Sequence, residues 1–151
     1  MRAIEIRDLA AQPTAVRHEV TPPDQLAKVV DRTFPALFAS LRQLGVTPAG
    51  PPFVRYLSTD DPFEVELGVP VPAEAGALDG AEHGSLPGGR VAVWSHYGPY
   101  SQLRAACEQL GESVRDLGEE ASGPFWESYV TNPATEPDAS KRLTEIYLPL
   151  R

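Results

Sequence analysis

The stretch VWSHYGPYSQLRAAC, residues 93–107, aligns without gaps on VRHEVTPPDQLAKVV, residues 16–30. The two stretches are identical at Val16 and Val93, Pro22 and Pro99, Gln25 and Gln102, and Leu26 and Leu103. In each, a strand-like segment ends at a proline and a helix-like segment follows. Self-similarity of this kind indicates an internal duplication, and the order of elements must then occur twice in the fold.

Two further blocks repeat in the same order. PPFVRYLST (51–59) resembles GPFWESYVT (123–131), and VELGVPV (65–71) resembles TEIYLPL (144–150). The halves therefore span about 1–71 and 90–151, and the glycine- and proline-rich segment 72–89 is predicted to be the loop that joins them. A chain of 151 residues with 42% apolar content is one ordinary domain or two intimately packed halves, and we expect residues 1–151 to form a single domain.

Apolar residues recur at helical spacing once in each half. These stripes are Leu26, Val29, Val30, Phe34, Leu37, Phe38, Leu41 and Leu44, then Leu103, Ala106, Cys107, Leu110, Val114 and Leu117. Pro22 and Pro99 suit the first turns of helices, and Gly45 and Gly118 suit their ends. Pro35 lies inside the first stripe, so we expect a bend or a short break there.

The remaining blocks have strand-like composition. Predicted strands are an extended segment 3–20 interrupted near Pro13, then 53–58, 64–71, 90–96, 125–131 and 143–150. The element order is strand, helix, strand, strand, twice, which predicts an α+β fold with an antiparallel sheet. We expect both helices to cover one face of the sheet and to leave a partly filled, curved face opposite, where a ligand cleft could form.

Composition excludes several classes of protein. The 21 acidic residues outnumber the 13 basic ones, for a net charge of −8, which disfavours direct binding of nucleic acid and suits a cationic small molecule better. The single cysteine, Cys107, can form no internal disulfide, and no apolar run is long enough to span a membrane. We expect a cytoplasmic protein without membrane attachment, and we predict no metal, because the histidines lack ligand spacing, and no cofactor.

The segment FWESY, residues 125–129, places a carboxylate among aromatic rings. In a strand, Phe125, Glu127 and Tyr129 share one face, while Trp126 and Ser128 share the other. Both tryptophans and four of the five tyrosines fall in the second half of the chain. Tyrosine combines an apolar ring with a polar tip, so this distribution is typical of a pocket lining.

The runs LPGGRVAVWSHYGPYSQL, FWESYVTNP and LTEIYLPL together resemble the GyrI-like, or bacterial effector-binding, domain family. The resemblance spans essentially the whole chain. It implies two pseudo-twofold-related strand-helix-strand-strand units with a ligand cleft between them. It also implies an acidic cleft residue that meets lipophilic cations, and by its position in the FWESY block this residue is Glu127.

Six residues are candidates for ligand binding: Glu127, Tyr129, Trp94, Tyr100, Tyr147 and Tyr56. Each aromatic residue could instead belong to the core or the rim. The repeat alignment also leaves a structural alternative open, because it matches Arg55 with Glu127. The two could form a plain buried ion pair, in which case the glutamate would hold no ligand.

Three functions follow from these observations. The first is a stand-alone sensor or sequestering module for hydrophobic, cationic drugs or metabolites; no helix-turn-helix segment is evident. The second is a hydrolase of strained cyclopropane-bearing natural products, a chemistry that the resemblance implies for some relatives. There Glu127 would act as general base and Tyr100 or Tyr129 as proton donor. The third, which the resemblance implies because other relatives are named for it, is gyrase inhibition, with an acidic surface that imitates nucleic acid. We favour the first, and whether the protein is an enzyme stays open.

Overall fold

A computed structural model describes residues 4–131 and 134–151. The strands are β1 (Glu5–Leu9), β2 (Gln12–Thr21), β3 (Phe53–Ser58), β4 (Phe63–Pro70), β5 (Glu82–Leu86), β6 (Gly89–Tyr97), β7 (Trp126–Tyr129) and β8 (Leu143–Pro149). The helices are α1 (Leu26–Gln43) and α2 (Leu103–Asp116). The predicted α+β fold is confirmed, and β1 with β6, β6 with β8, β7 with β8, β2 with β4, β2 with β5 and β3 with β4 all pair in antiparallel fashion. Ala3 and the end of the FWESYVTNP motif, Asn132 and Pro133, lie outside the described residues.

One compact unit contains residues 4–10 and 88–151, and is called the 88–151 unit below. Its strands follow the order β1, β6, β8, β7, and α2 packs against β6 and β8. Its buried core cluster consists of Ala92, Trp94, Leu103, Ala106, Leu110, Val114, Ile146 and Leu150. The helical stripe predicted for this half is therefore the face that α2 buries, although Leu117 at its end is exposed.

The first strand differs from its prediction. The extended segment breaks at Ala10 and Ala11, and Pro13 lies inside β2. As a consequence β1, which comes first in the chain, pairs with β6 of the second half, with Ile6 opposite Ala92. Pro13 is tolerated inside β2 because a proline lacks only its own N–H. Its carbonyl still accepts a hydrogen bond from the backbone N of Val71 at 2.9 Å.

The second unit, residues 11–87, is called the 11–87 unit. Its strands follow the order β3, β4, β2, β5, and α1 packs against β2 and β4. Strand β5 lies within 72–89, which we predicted to be a loop. The sequence EHGSL does not alternate apolar and polar residues, so its pairing with residues 12–16 of β2 depends on the backbone.

Both helices begin and end as predicted. Each follows one turn of 3-10 helix, Pro23–Gln25 or Tyr100–Gln102, and Gly45 and Gly118 adopt φ angles of 71° and 75° just past the ends. Helix α1 runs without a break through Pro35, so the predicted break is absent. Neither helix is long and apolar enough for a transmembrane span, a finding limited to 4–131 and 134–151.

Candidate functional site

The glutamate of the FWESY segment lies on the helix-covered face of the 88–151 unit. Phe125 and Tyr129 both pack against the core cluster, and Glu127, placed between them, contacts Cys107 of α2. Only 5% of Glu127 is exposed. Strand alternation thus gathers these side chains as predicted, but on the face that α2 covers, and not on the face opposite the helices where we expected a cleft.

Two neutral donors hydrogen-bond the Glu127 carboxylate. The Tyr129 hydroxyl donates to Oε1 at 2.8 Å, and the Cys107 thiol donates to Oε2 with 3.6 Å between sulfur and oxygen. Burial raises the pKa of the Cys107 thiol, and the neighbouring Glu127 carboxylate raises it further. Such donors orient a carboxylate without themselves supplying a positive charge.

Tyr100 extends the aromatic surface from Tyr129 toward solvent. The two rings meet edge to face, with centroids 5.8 Å apart and an interplanar angle of 70°. Tyr100 is 38% exposed. The guanidinium of Arg142 lies 5.8 Å from the centroid of its ring. Burial raises the pKa of Tyr100 and the charge of Arg142 opposes that shift.

The other face of the same unit carries a separate cluster. Tyr147 stacks on Trp126, with ring centroids 5.1 Å apart and planes 6° from parallel. Its hydroxyl donates to Glu145 at 3.0 Å, and Glu145 also pairs with Arg7 at 3.5 Å. Burial and the Glu145 carboxylate raise the pKa of Tyr147 to about 12. Each partner in this cluster is supplied within the unit, which suits a structural network.

The profile of the GyrI-like small molecule binding domain matches residues 2–151. The chain belongs to this family. Among curated proteins, none matches the sequence. Membership confirms the resemblance noted in the sequence and establishes the general function of a GyrI-like domain, which is to bind small molecules.

Solved structures share the fold of this GyrI-like domain. The C-terminal domain of EcmrR superposes with a TM-score of 0.87 at 19% identity, covering 100% of this chain and 98% of that one. In the EcmrR–DNA complex the TM-score is again 0.87 at 19% identity, covering 99% of this chain but only 57% of the longer one. SAV2435 bound to tetraphenylphosphonium gives a TM-score of 0.75 at 13% identity, covering 99% and 94%.

One further structural neighbour is described as a hydrolase from Listeria innocua. Its TM-score is 0.63 at 13% identity, with 99% of this chain and 92% of that chain covered. At this level of identity the similarity concerns the fold alone. The catalytic alternative for this GyrI-like domain must therefore be judged on its own residues.

Five of the six predicted ligand residues lie in the 88–151 unit, and these five do not form one group. Glu127, Tyr129 and Tyr100 lie together, whereas Tyr147 lies on the opposite face of the sheet. Trp94 is in the core cluster. It lies opposite Ile146 on one side of β8, whereas Glu127 lies opposite Ile146 on the other side, so the Ile146 position separates the two. Tyr56, in the 11–87 unit, packs edge to face on Phe63 with centroids 6.1 Å apart.

The strand registers also correct the repeat alignment around Arg55. The sequence repeat matches Leu67 with Ile146. In β3, the residue opposite Leu67 is Val54, and in β7 the residue opposite Ile146 is Glu127. The structural equivalent of Glu127 is thus Val54 and not Arg55, because the sequence alignment of this block is off by one residue. A shift of one residue moves a side chain to the other face.

Arg55 has a partner in its own unit. It lies opposite Glu66 in the register, on the face away from Val54, and its Nη1 is 3.4 Å from the Glu66 carboxylate. The alternative pairing of Arg55 with Glu127 assumed that the two residues occupy equivalent positions in the repeat. The strand registers remove that assumption.

Sequence reasoning missed two residues that belong to the candidate site. Cys107 belongs to the predicted apolar stripe of α2, which indicates that it faces the sheet but not that it contacts Glu127. Arg142 carried no signal beyond its place before β8. Within 4–131 and 134–151, no three potential ligands are grouped to hold a metal. A shallow depression of about 330 Å³ near Phe38 and Pro48 of the 11–87 unit contains none of the candidate residues.

The contact between Cys107 and Glu127 predicts slow alkylation of the thiol. Burial and the adjacent carboxylate disfavour the thiolate, so iodoacetamide at pH 8 should react at least ~10-fold more slowly with the native domain than with the urea-unfolded chain. The native rate should still climb above about pH 10, where the unfolded chain, whose thiol has its ordinary pKa, has levelled off. The chain has one cysteine, so mass spectrometry reports this site alone. Equal rates in the two states would contradict the contact.

Proposed function

We propose that this GyrI-like domain binds aromatic, lipophilic cations and acts in the cytoplasm as a sensor or sequestering module. The observation that carries the proposal is Glu127, a residue that is 5% exposed and whose carboxylate is hydrogen-bonded by Tyr129 and flanked by aromatic rings. One structural neighbour, SAV2435, was solved with tetraphenylphosphonium, a ligand of this class. That ligand is a suitable first probe for this chain.

The energetics favour a cation over a neutral molecule of the same shape. A buried carboxylate is poorly hydrated, so a nearby positive charge interacts with it far more strongly than it would in water. Aromatic faces attract a cation by roughly 0.5–2 kcal/mol each. Tyr129 contacts the carboxylate and Tyr100 packs against Tyr129. The attraction of the charge and the attraction of the rings therefore act on the same ligand.

Loose specificity is the second consequence. Rings recognise flat apolar surfaces with little regard for outline, whereas a dense hydrogen-bond network rejects any analogue that leaves a polar group unpaired. The candidate site presents one carboxylate and aromatic side chains, together with the Cys107 thiol and the Arg142 guanidinium, and so offers few directed hydrogen bonds to a ligand. We therefore expect several unrelated cations to bind with similar affinity.

Hydrolysis is the competing function, and one contact favours it. A carboxylate hydrogen-bonded to a tyrosine at 2.8 Å could activate water while the phenol donates a proton. Tyr129 is the candidate donor whose hydroxyl contacts the carboxylate directly, whereas the Tyr100 hydroxyl donates to the carbonyl of Thr131, 3.5 Å away.

A titration with product analysis tests the proposal and separates the two functions. Tetraphenylphosphonium and neutral triphenylphosphine oxide would each be titrated into the domain by calorimetry. We expect saturable binding of the cation at least ~10-fold tighter than of the neutral probe, as expected for ~1.4 kcal/mol of charge preference. A cyclopropane-bearing substrate should be recovered intact by mass spectrometry after overnight incubation.

Two results would overturn the proposal. Equal affinity for both probes, or none for either, would remove the role of the carboxylate in cation recognition. A time-dependent hydrolysis product would support the enzyme instead.

A further inference from the structure

Arg142 places a positive charge on the aromatic surface of the candidate site. Its guanidinium carbon lies 5.8 Å from the centroid of the Tyr100 ring, within the range of a cation–π contact. Tyr100 in turn packs edge to face on Tyr129, whose hydroxyl holds Glu127. A side chain of this protein thus occupies a position that an aromatic cation would compete for.

The guanidinium is held in this position by the chain itself. Its Nε donates to the carbonyl of Glu136 at 3.1 Å, and Nη2 donates to the carbonyl of Pro137 at 3.3 Å. The carbonyl of Arg142 accepts from the backbone N of Gly98 at 2.9 Å, at the turn that leads into the segment bearing Tyr100. These contacts restrict the side chain from both ends, so its position over the ring is built into the fold.

We propose that Arg142 is a built-in competitor for cationic ligands, and that it lowers their affinity by occupying the face of Tyr100. The proposal rests on the proposed function, since it concerns the same aromatic surface. A guanidinium is planar and weakly hydrated, and it stacks on rings as a flat organic cation does. A ligand must therefore displace it or bind beside it against like-charge repulsion.

This competition has a selective effect. A cation with a large apolar body gains enough buried area to displace the guanidinium, whereas a small cation such as ammonium does not. Arg142 would thus restrict the site to bulky cations. Arg142 also narrows the difference in affinity between a cation and a neutral ligand, because the arginine repels only the cation.

The test is a gain of affinity on substitution. Arg142→Gln should bind tetraphenylphosphonium about three- to tenfold more tightly than wild type, because the ring contact and the repulsion are both removed. The affinity for triphenylphosphine oxide should rise by a smaller factor than that for the cation, because the neutral probe gains the vacated ring face but no relief from charge repulsion. Arg104→Gln is the matched control, because Arg104 is 93% exposed on α2 and its loss changes the net charge equally. It should leave both affinities unchanged.

A double-mutant cycle with Tyr100→Leu ties the effect to the ring. If Arg142 acts through Tyr100, the gain should disappear in the Tyr100→Leu background. Unchanged or weaker cation binding by folded Arg142→Gln, or an equal gain in Arg104→Gln, would overturn the proposal. Arg142→Lys serves as the second variant should the glutamine variant not fold. It keeps the charge but not the planar fork, so it should show part of the gain in tetraphenylphosphonium affinity. Failure of wild type to prefer the cation would instead count against the proposed function.

Discussion

Glu127→Gln should weaken tetraphenylphosphonium binding by roughly 10- to 100-fold, the equivalent of losing about 1.4–2.8 kcal/mol. The amide has nearly the same volume and its oxygen can still accept the Tyr129 hydrogen bond, which spans 2.8 Å to Oε1 in the wild type. The substitution therefore removes charge while it keeps shape. Calorimetric titration of both variants measures the difference, and neutral triphenylphosphine oxide should bind each within about threefold.

Glu145→Gln is the matched control for this substitution. Glu145 lies on the adjacent strand β8 but on the opposite face, where it bonds Tyr147. Its loss changes the net charge equally and should leave cation affinity within about twofold. Weaker cation binding by Glu145→Gln, with unchanged binding by Glu127→Gln, would contradict the proposed site. The ligand would then bind on the face opposite the helix, where the sequence led us to expect the cleft.

Gly68→Ala should destabilise the protein by about 2–4 kcal/mol, because the core has no room for a methyl group there. An added Cβ would lie 2.7 Å from the backbone oxygen of Ala15, 2.7 Å from Val16 Cγ1 and 2.9 Å from Phe53 Cζ. One of the two nearest is a backbone atom in a paired strand, and it cannot move aside as the end of a flexible side chain would. The midpoint of urea unfolding measures the loss.

Gly111→Ala is the contrasting control for that measurement. Gly111 lies in α2, where a Cβ would meet only the end of the Arg115 side chain, at 3.8 Å. Alanine there should stabilise the helix by about 0.5–1 kcal/mol, because it restricts the unfolded chain. A Gly68→Ala variant as stable as wild type would show that β2 and β3 can shift apart and that the packing around this residue is looser than described.

The two repeats differ at the position of Gly68. The repeat aligns Gly68 with Tyr147, and the register places Phe53 opposite the glycine and Trp126 opposite the tyrosine. In the 11–87 unit the glycine makes room for the Phe53 ring, whereas in the 88–151 unit two rings stack flat. The same strand pairing is thus packed in two different ways, and the identity of one residue decides which.

Most of the fold could be predicted because it depends on local geometry. The stripe from Leu103 to Val114 follows the helical period, and Gly118 suits the left-handed conformation that ends a helix. Strand β5 could not be predicted in this way, because EHGSL pairs through its backbone and its side chains carry no alternating pattern.

The candidate site was predictable in part. Alternation along the FWESY segment correctly grouped Phe125, Glu127 and Tyr129. It could not place Tyr147, Cys107 or Arg142 relative to them. Those relations depend on which residue of a partner strand lies opposite and on where a distant loop passes, and neither follows from the period of one element.

By itself the sequence determined the succession of strands and helices, the ends of the helices and which side chains of each strand point the same way. These properties follow from bond geometry along a short piece of chain. Tertiary structure alone decided that α2 lies over the face bearing Glu127, that Val54 and not Arg55 is its counterpart, and that Arg142 reaches the ring of Tyr100. Strand pairing sets these relations across long sequence separations, and a shift of a single residue in that pairing would reverse the faces.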